Sequence, residues 1–260
     1  MKNLVNNKDL RLMIAEMIYK SKEGHIPSSF SIVDIINILY EKFLRNKYSN
    51  DISKRDIFIL SKGHGAAALY ATLYKHKLLK LNDINNYSLY NGILGGHPDT
   101  LKIKHVDAST GSLGHGFPTA MGIALAQKIK KINYRVFCLL GDGECHEGTI
   151  WETAHVANNL GLNNLIAIID LNDSAKQLMP EDNLYKKFKA FGFETYKCNG
   201  NNNESLTKVI SEIDFKNNKP KAIIAKTIKG YGVKFLSGHG PWHHKIPNES
   251  EMNKIRNILK

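Results

Sequence analysis

The sequence predicts an α/β protein, a doubly wound and mainly parallel sheet with helices on both faces. Ile57 to Leu60, Val136 to Leu140, Leu165 to Asp170 and Ala222 to Thr227 are short, nearly continuous apolar runs. That is the pattern of strands covered on both faces. The stretches between them are long enough for crossover helices and carry apolar residues at helical spacing. Polar, glycine-rich residues follow the runs directly, where such sheets collect ligands beyond the carboxyl ends of their strands.

Taken in order, Leu10, Met13, Ile14, Met17 and Ile18 form the apolar stripe of a first helix, with Gly24 as its stop signal. Ser31 with Asp34 offers a capping box for a second helix, whose buried face is Ile32, Ile35, Ile36, Leu39 and Phe43. After the first strand comes a helix over Ala66 to Lys75. Further helices are expected at Phe117 to Lys130, Trp151 to Leu160 and Leu206 to Ile213. With 260 residues, 42% of them hydrophobic, one large domain over 1–260 accounts for the chain, with a C-terminal extension from about Lys229. The sequence has no internal repeat, low-complexity tract or proline-rich linker.

A formal net charge of +12 raises the question of a nucleic-acid partner. The lysines are spread along the chain, and the densest group, Lys128, Lys130 and Lys131, falls at a helix end, where cations complement the dipole. No nucleic acid is therefore expected; the excess charge suits phosphorylated substrates or an acidic partner chain. No apolar run approaches the length a bilayer needs, and the first ten residues are polar, so the expectation is a cytoplasmic protein without a membrane partner. Cys138, Cys145 and Cys198 are odd in number and lack C-x-x-C spacing, against both a disulfide framework and a zinc cluster.

The chemistry concentrates behind the strands. Val136 to Leu140 runs into Gly141-Asp142-Gly143-Glu144, where glycines let backbone approach a phosphate and the acid can face a hard cation. The next strand ends in Asp170-Leu171-Asn172, which brings an amide oxygen to the same sheet edge. A carboxylate, an amide oxygen and a backbone carbonyl, completed by diphosphate oxygens and water, would satisfy the octahedral oxygen shell of Mg²⁺. A glycine-flanked acid alone also fits a plain turn; the second strand-end ligand favours the metal. Histidines taken singly are usually surface or satisfied core residues. His25, His64 and His97 each adjoin glycine at a predicted loop position within a motif; His115 and His239 also adjoin glycine, but they, His146, His155 and His244 lack that combined support. Trp151 and Glu152 read as helix packing and capping.

Gly141-Asp142-Gly143, followed thirty residues after the acid by Asn172, resembles the thiamine diphosphate signature. Ser61-Lys62-Gly63-His64-Gly65, Gly96-His97-Pro98-Asp99, Thr110-Gly111-Ser112-Leu113-Gly114, Lys229-Gly230-Tyr231-Gly232 and Trp242-His243 together are similar to the transketolase family in its own order. The likeness runs from about Gly24 to Pro247. It implies the cofactor thiamine diphosphate with Mg²⁺, or Ca²⁺ or Mn²⁺ in its place. Asp142 and Asn172 match metal-binding side chains, and Ser174 a metal-binding main-chain carbonyl. Ser28, His64, Gly143, Asn172, Lys229, His243 and the Gly111-Ser112-Leu113 stretch match cofactor contacts. His25, His97 and His243 match catalytic histidines of the substrate channel, and Glu147 an acid linking paired cofactor sites across a subunit interface.

Two local departures stand out. His25-Ile26-Pro27-Ser28-Ser29-Phe30 is bulkier than the family's usual turn, and His115 stands where a glutamine is common. A full transketolase also continues into a pyrimidine-binding domain, which carries the activating glutamate. The resemblance therefore implies the amino-terminal subunit of a two-chain enzyme, a heterotetramer with a carboxyl-terminal partner. The pair would transfer a two-carbon ketol unit from a ketose or sugar phosphate to an aldose. A catalytically silent scaffold and the α-type subunit of a 2-oxo acid dehydrogenase are the alternatives.

Overall fold

The computed structural model describes residues 6–176, 179–180, 183–238 and 240–260. His239 lies outside the described residues. Five strands, β1 (Ile57–Leu60), β2 (Val136–Gly141), β3 (Leu165–Leu171), β4 (Glu194–Asn199) and β5 (Lys221–Lys226), make one sheet in the order β1-β2-β3-β5-β4, and every neighbouring pair is parallel. Four of these are the apolar runs of the sequence. Their side chains alternate between two separate cores. Phe58, Leu60, Phe137, Leu139, Ile166, Ile168 and Ile223 face one. Ile57, Ile59, Val136, Cys138, Leu140, Ala167 and Ile224 face the other.

The first core is covered by α1 (Asn7–Ser21), α3 (Val33–Ile38), α4 (Ala66–Lys75), α9 (Asn203–Ser211) and α10 (Glu249–Leu259), together with the short helices α2 (Ile26–Phe30) and α5 (Leu81–Asn85). The second is covered by α6 (Gly116–Ile129), α7 (Gly148–Asn159) and α8 (Leu184–Ala190). Helices thus lie on both faces, as the class requires.

Several local expectations are corrected. The strand β4 and the helices α2, α5, α8 and α10 were not anticipated. β4 reads Glu-Thr-Tyr-Lys-Cys-Asn, half polar because it closes the sheet edge. α1 is capped by Lys22 in the left-handed conformation (φ 60), with Gly24 two residues beyond at φ 131. Ser31 and Asp34 form no capping box. The Ser31 hydroxyl donates to the Asp170 carboxylate at 2.8 Å, and Asp34 takes Arg11 and the Asn7 amide instead. Tertiary partners of higher charge displaced the local reciprocal bond. The helix after Ser31 ends in a π-helical turn, Leu39–Phe43, rather than continuing as α-helix.

After β5 the chain crosses back over α2, then α10 packs on α1 with Arg256 bonded to Glu16 at 2.7 Å. Among the described residues no helix is long and apolar enough to cross a membrane.

Candidate functional site

Parallel pairing sets the strand ends side by side. Gly141 pairs with Asp170, and Leu171 with Lys226. The residues just past β1, β2, β3 and β5 consequently line one cavity of about 560 Å³ at the carboxyl edge of the sheet.

On its floor, Asp142 and Asn172 are buried and share one donor. The Ser174 N–H reaches the Asp142 carboxylate at 3.1 Å and the Asn172 amide oxygen at 2.9 Å. Asp142 also accepts from the Gly143 N–H at 2.8 Å. No salt bridge to a described residue supports this carboxylate, and burial followed by the charge of Asp170 pushes its pKa up. All the donors here are oxygen, with a single formal charge among them. A site of that composition fits a hard divalent cation, which would neutralise the buried acid and take further ligands from a bound anion. Ser174 meets the pair through its N–H, and its hydroxyl accepts from Lys229 Nζ at 2.9 Å.

Beneath this floor lies a polar network that the sequence reading missed. Lys62, 1% exposed, donates to Asp170 at 2.6 Å and to the Ser28 carbonyl at 3.3 Å. Asp170 is also held by Ser31, by the Asn172 amide at 2.8 Å and by Thr227. A buried ion pair is tolerated when the remaining lone pairs are filled in this way. The signal was present, since Asp170 is a lone acid ending a buried strand and must find a cation. Glu144 was missed too. It accepts from Ser61, from Gly114 N–H at 2.9 Å and from Gly141 N–H at 3.1 Å, tying the loop before α6 to the ends of β1 and β2.

Above the floor, histidine rings cluster. His25 lies 5.3 Å from both His64 and His243, and 4.6 Å from His244. Burial first, then neighbouring histidines and Lys62, lowers His25 to about 4; burial and Lys62 lower His64 to about 2. Both are neutral imidazoles at pH 7. Lys229 Nζ lies 3.1 Å from His243 Nδ1. An ammonium only donates, so this contact leaves Nδ1 as acceptor and the ring proton on Nε2.

Of the sequence candidates, the cavity wall contains Ser28, His64, Leu113, Asp142, Gly143, Asn172, Ser174, Lys229 and His243. His25 joins through its ring contacts. His97 is exposed, and a Cβ on Gly111 would lie 3.2 Å from its ring, so the loop passes close beneath it. Ser112 is exposed beside it. Glu147 stands apart at the start of α7, exposed behind Gly114. Trp151 packs on Phe188 and Phe191 and donates to the Cys145 carbonyl at 2.8 Å, a structural role.

Fold and cavity define a class, the parallel α/β proteins that hold an anionic ligand at the carboxyl edge of the sheet. Residues 2–260 match the family described as transketolase, thiamine diphosphate binding domain, and the chain belongs to that family. One of the subunits of the apulose-4-phosphate transketolase of Phocaeicola vulgatus is 34% identical over 249 residues, 93% of this chain and 88% of that protein. The 6-deoxy-6-sulfo-D-fructose transketolase subunit SqwG of a Clostridium species is 32% identical over 235 residues, 88% of this chain and 86% of that one. The crystal structure of transketolase from Campylobacter jejuni matches with a TM-score of 0.87 at 29% identity, over 100% of this chain and 43% of that chain. This chain therefore spans less than half of that transketolase. The 2-oxo acid dehydrogenase alternative is not favoured.

Proposed function

We propose that this chain is the diphosphate- and metal-holding subunit of a two-chain transketolase, and that with its partner it moves a two-carbon ketol unit from a ketose donor to an aldose acceptor. The observation that carries the reading is the shared floor of Asp142 and Asn172, with Lys229 beside it and neutral histidines above. Asp142 and Asn172 would hold Mg²⁺ through side-chain oxygens that keep a free lone pair beyond the Ser174 N–H. Ser174 would add its main-chain carbonyl. Gly143, Ser28, His64, Lys229 and the 111–113 loop would grip the diphosphate, and Glu147 would reach toward a paired site.

When bound, thiamine diphosphate supplies an acidic thiazolium carbon that can carry the ketol unit. The chain's own groups bind, orient and move protons around it. Neutral His25 and His243 can each accept or donate at a sugar hydroxyl, and His97 would do the same. The family resemblance assigns no residue of this chain to the carboxylate that assists the aminopyrimidine; that acid would fall to the partner. Coverage of 88% and 86% of two relatives named as transketolase subunits supports the two-chain reading. Those two names carry different sugars, so the substrate is left at the level of ketose and aldose. The three cysteines are all buried thiols, which fits a reducing compartment such as the cytoplasm.

The test is to purify the tagged protein from its native source, identify what accompanies it by mass spectrometry, and assay the complex with thiamine diphosphate and Mg²⁺ for ketol transfer. A stoichiometric second chain with turnover is the expected result. A folded protein that takes up neither partner nor added cofactor would be a silent scaffold, and the proposal would fall.

A further inference from the structure

Glu23 has no part in the site as described and His244 enters it only through its ring contact with His25, yet the two meet on its solvent side. Their closest atoms, Glu23 Oε1 and His244 Nε2, are 3.8 Å apart, and both side chains are about half exposed. The His244 ring stands edge-on to His25 at 4.6 Å, which places the pair on the solvent side of the histidine cluster. Glu23 also borders the loop that bears His97, because a Cβ on Gly96 would come within 3.3 Å of its carboxylate. One carboxylate thus stands among the three loops that carry His25, His97 and His243.

The turn that presents His244 is held by other contacts. Trp242 packs on Phe235 with ring centroids 5.6 Å apart, and Lys245 covers Trp242 at 4.3 Å while bonding Glu251. A half-exposed contact of this kind at 3.8 Å adds little stability of its own. The separation also exceeds a direct hydrogen bond, so carboxylate lone pairs and an imidazole nitrogen remain free toward the opening.

We propose that Glu23 and His244 form an outer rim that binds hydroxyl groups of the acceptor beyond the carbons reached by His25 and His243, and so sets acceptor length. The inference rests on the ketol-transfer reading. A carboxylate accepts from two hydroxyls at once and an imidazole can donate or accept, the complement of a polyhydroxylated carbon chain. The same carboxylate repels a phosphate or sulfonate at those carbons, so any anionic group of the substrate is carried further out.

The experiment uses the tag-purified complex with thiamine diphosphate and Mg²⁺, hydroxypyruvate and D-fructose 6-phosphate as alternative ketol donors, and glycolaldehyde, D-glyceraldehyde, D-erythrose and D-ribose as acceptors. The readout is kcat/KM for each longer aldehyde relative to glycolaldehyde, alongside cofactor affinity. Glu23→Ala and His244→Ala are each expected to lower the erythrose and ribose ratios about fivefold, the worth of roughly one hydrogen bond. Glu23→Gln, which keeps an acceptor oxygen, is expected to recover part of that loss. Unchanged ratios in both alanine variants would overturn the rim, as would a loss equal for all acceptors accompanied by weaker cofactor binding. A wild-type complex that transfers no ketol unit from either donor would bring down the ketol-transfer reading, and the rim with it.

Discussion

Asp142 is 4% exposed, with two backbone N–H groups as its described partners, so its charge is costly until a cation arrives. Asp142→Ala is expected to weaken metal-dependent thiamine diphosphate binding in the assembled complex at least about tenfold, or roughly 1.4 kcal/mol. Titration of cofactor with and without Mg²⁺ measures it, and wild-type affinity would refute the metal assignment. His97, exposed beside the Gly111 loop, should behave differently. His97→Ala is expected to leave cofactor affinity in place and lower kcat; cofactor loss as the main effect would move His97 into the cofactor shell. Lys62→Met removes the cation from fully buried Asp170 while its other donors remain. Breaking such a pair costs about 3–5 kcal/mol, to be read from urea midpoints of the isolated chain. A cost below about 1 kcal/mol would mean that the hydroxyl and amide donors suffice.

At the scale of elements, α6 lets one substitution be tried in two environments. A Cβ on Gly116, at its start, would lie 2.7 Å from the Ser61 Cα and could be accommodated only by lifting α6 from β1. Gly116→Ala is expected to cost about 1–3 kcal/mol. Gly122, mid-helix, has nothing within 4 Å of the same added carbon. There alanine should stabilise by about 0.5–1 kcal/mol through helix propensity. Urea denaturation of both variants checks the contrast, and matching signs would show that propensity rather than close approach governs this helix. Elements were legible where local pattern was strong. Ala66–Lys75 coincides with α4 and Ile57–Leu60 with β1. β4 escaped notice because only Cys198 in it is buried, and α8 because seven residues are too few to display a period.

The molecule as a whole should be sensitive to acid. His25 and His76 are lowered to about 4 and His64 to about 2, each mainly by burial. An unfolded histidine titrates near about 6.5, so between that value and about 4 the unfolded chain binds more protons than the folded one. Stability from these groups is complete above about pH 6.5 and is lost as pH falls toward 4. Asp142 and Glu144, raised by burial, act in the opposite sense, two carboxyls against five imidazoles once His105 and His243, also lowered mainly by burial, are counted. The isolated chain is therefore expected to show a lower Tm at pH 5 than at pH 7.5 by calorimetry. A higher Tm at pH 5 would mean that the carboxyls dominate.

Periodicity, apolar runs and glycine-flanked polar turns are properties of neighbours along the chain, and from them the sequence alone determined the sheet class, most strands, the position of the Asp142 turn and the family likeness. Which side chains meet was decided only by the tertiary structure. Lys62 and Asp170 are 108 positions apart, Ser31 and Asp170 are 139 apart, and Glu23 faces His244 from the other end of the chain. Their encounters depend on strand order and on how α2 and the turn after Gly240 pack over the sheet edge, and no local pattern encodes them. Buried charge then selected the partners, because a lysine or carboxylate removed from water persists only where its opposite and its hydrogen bonds are already in place.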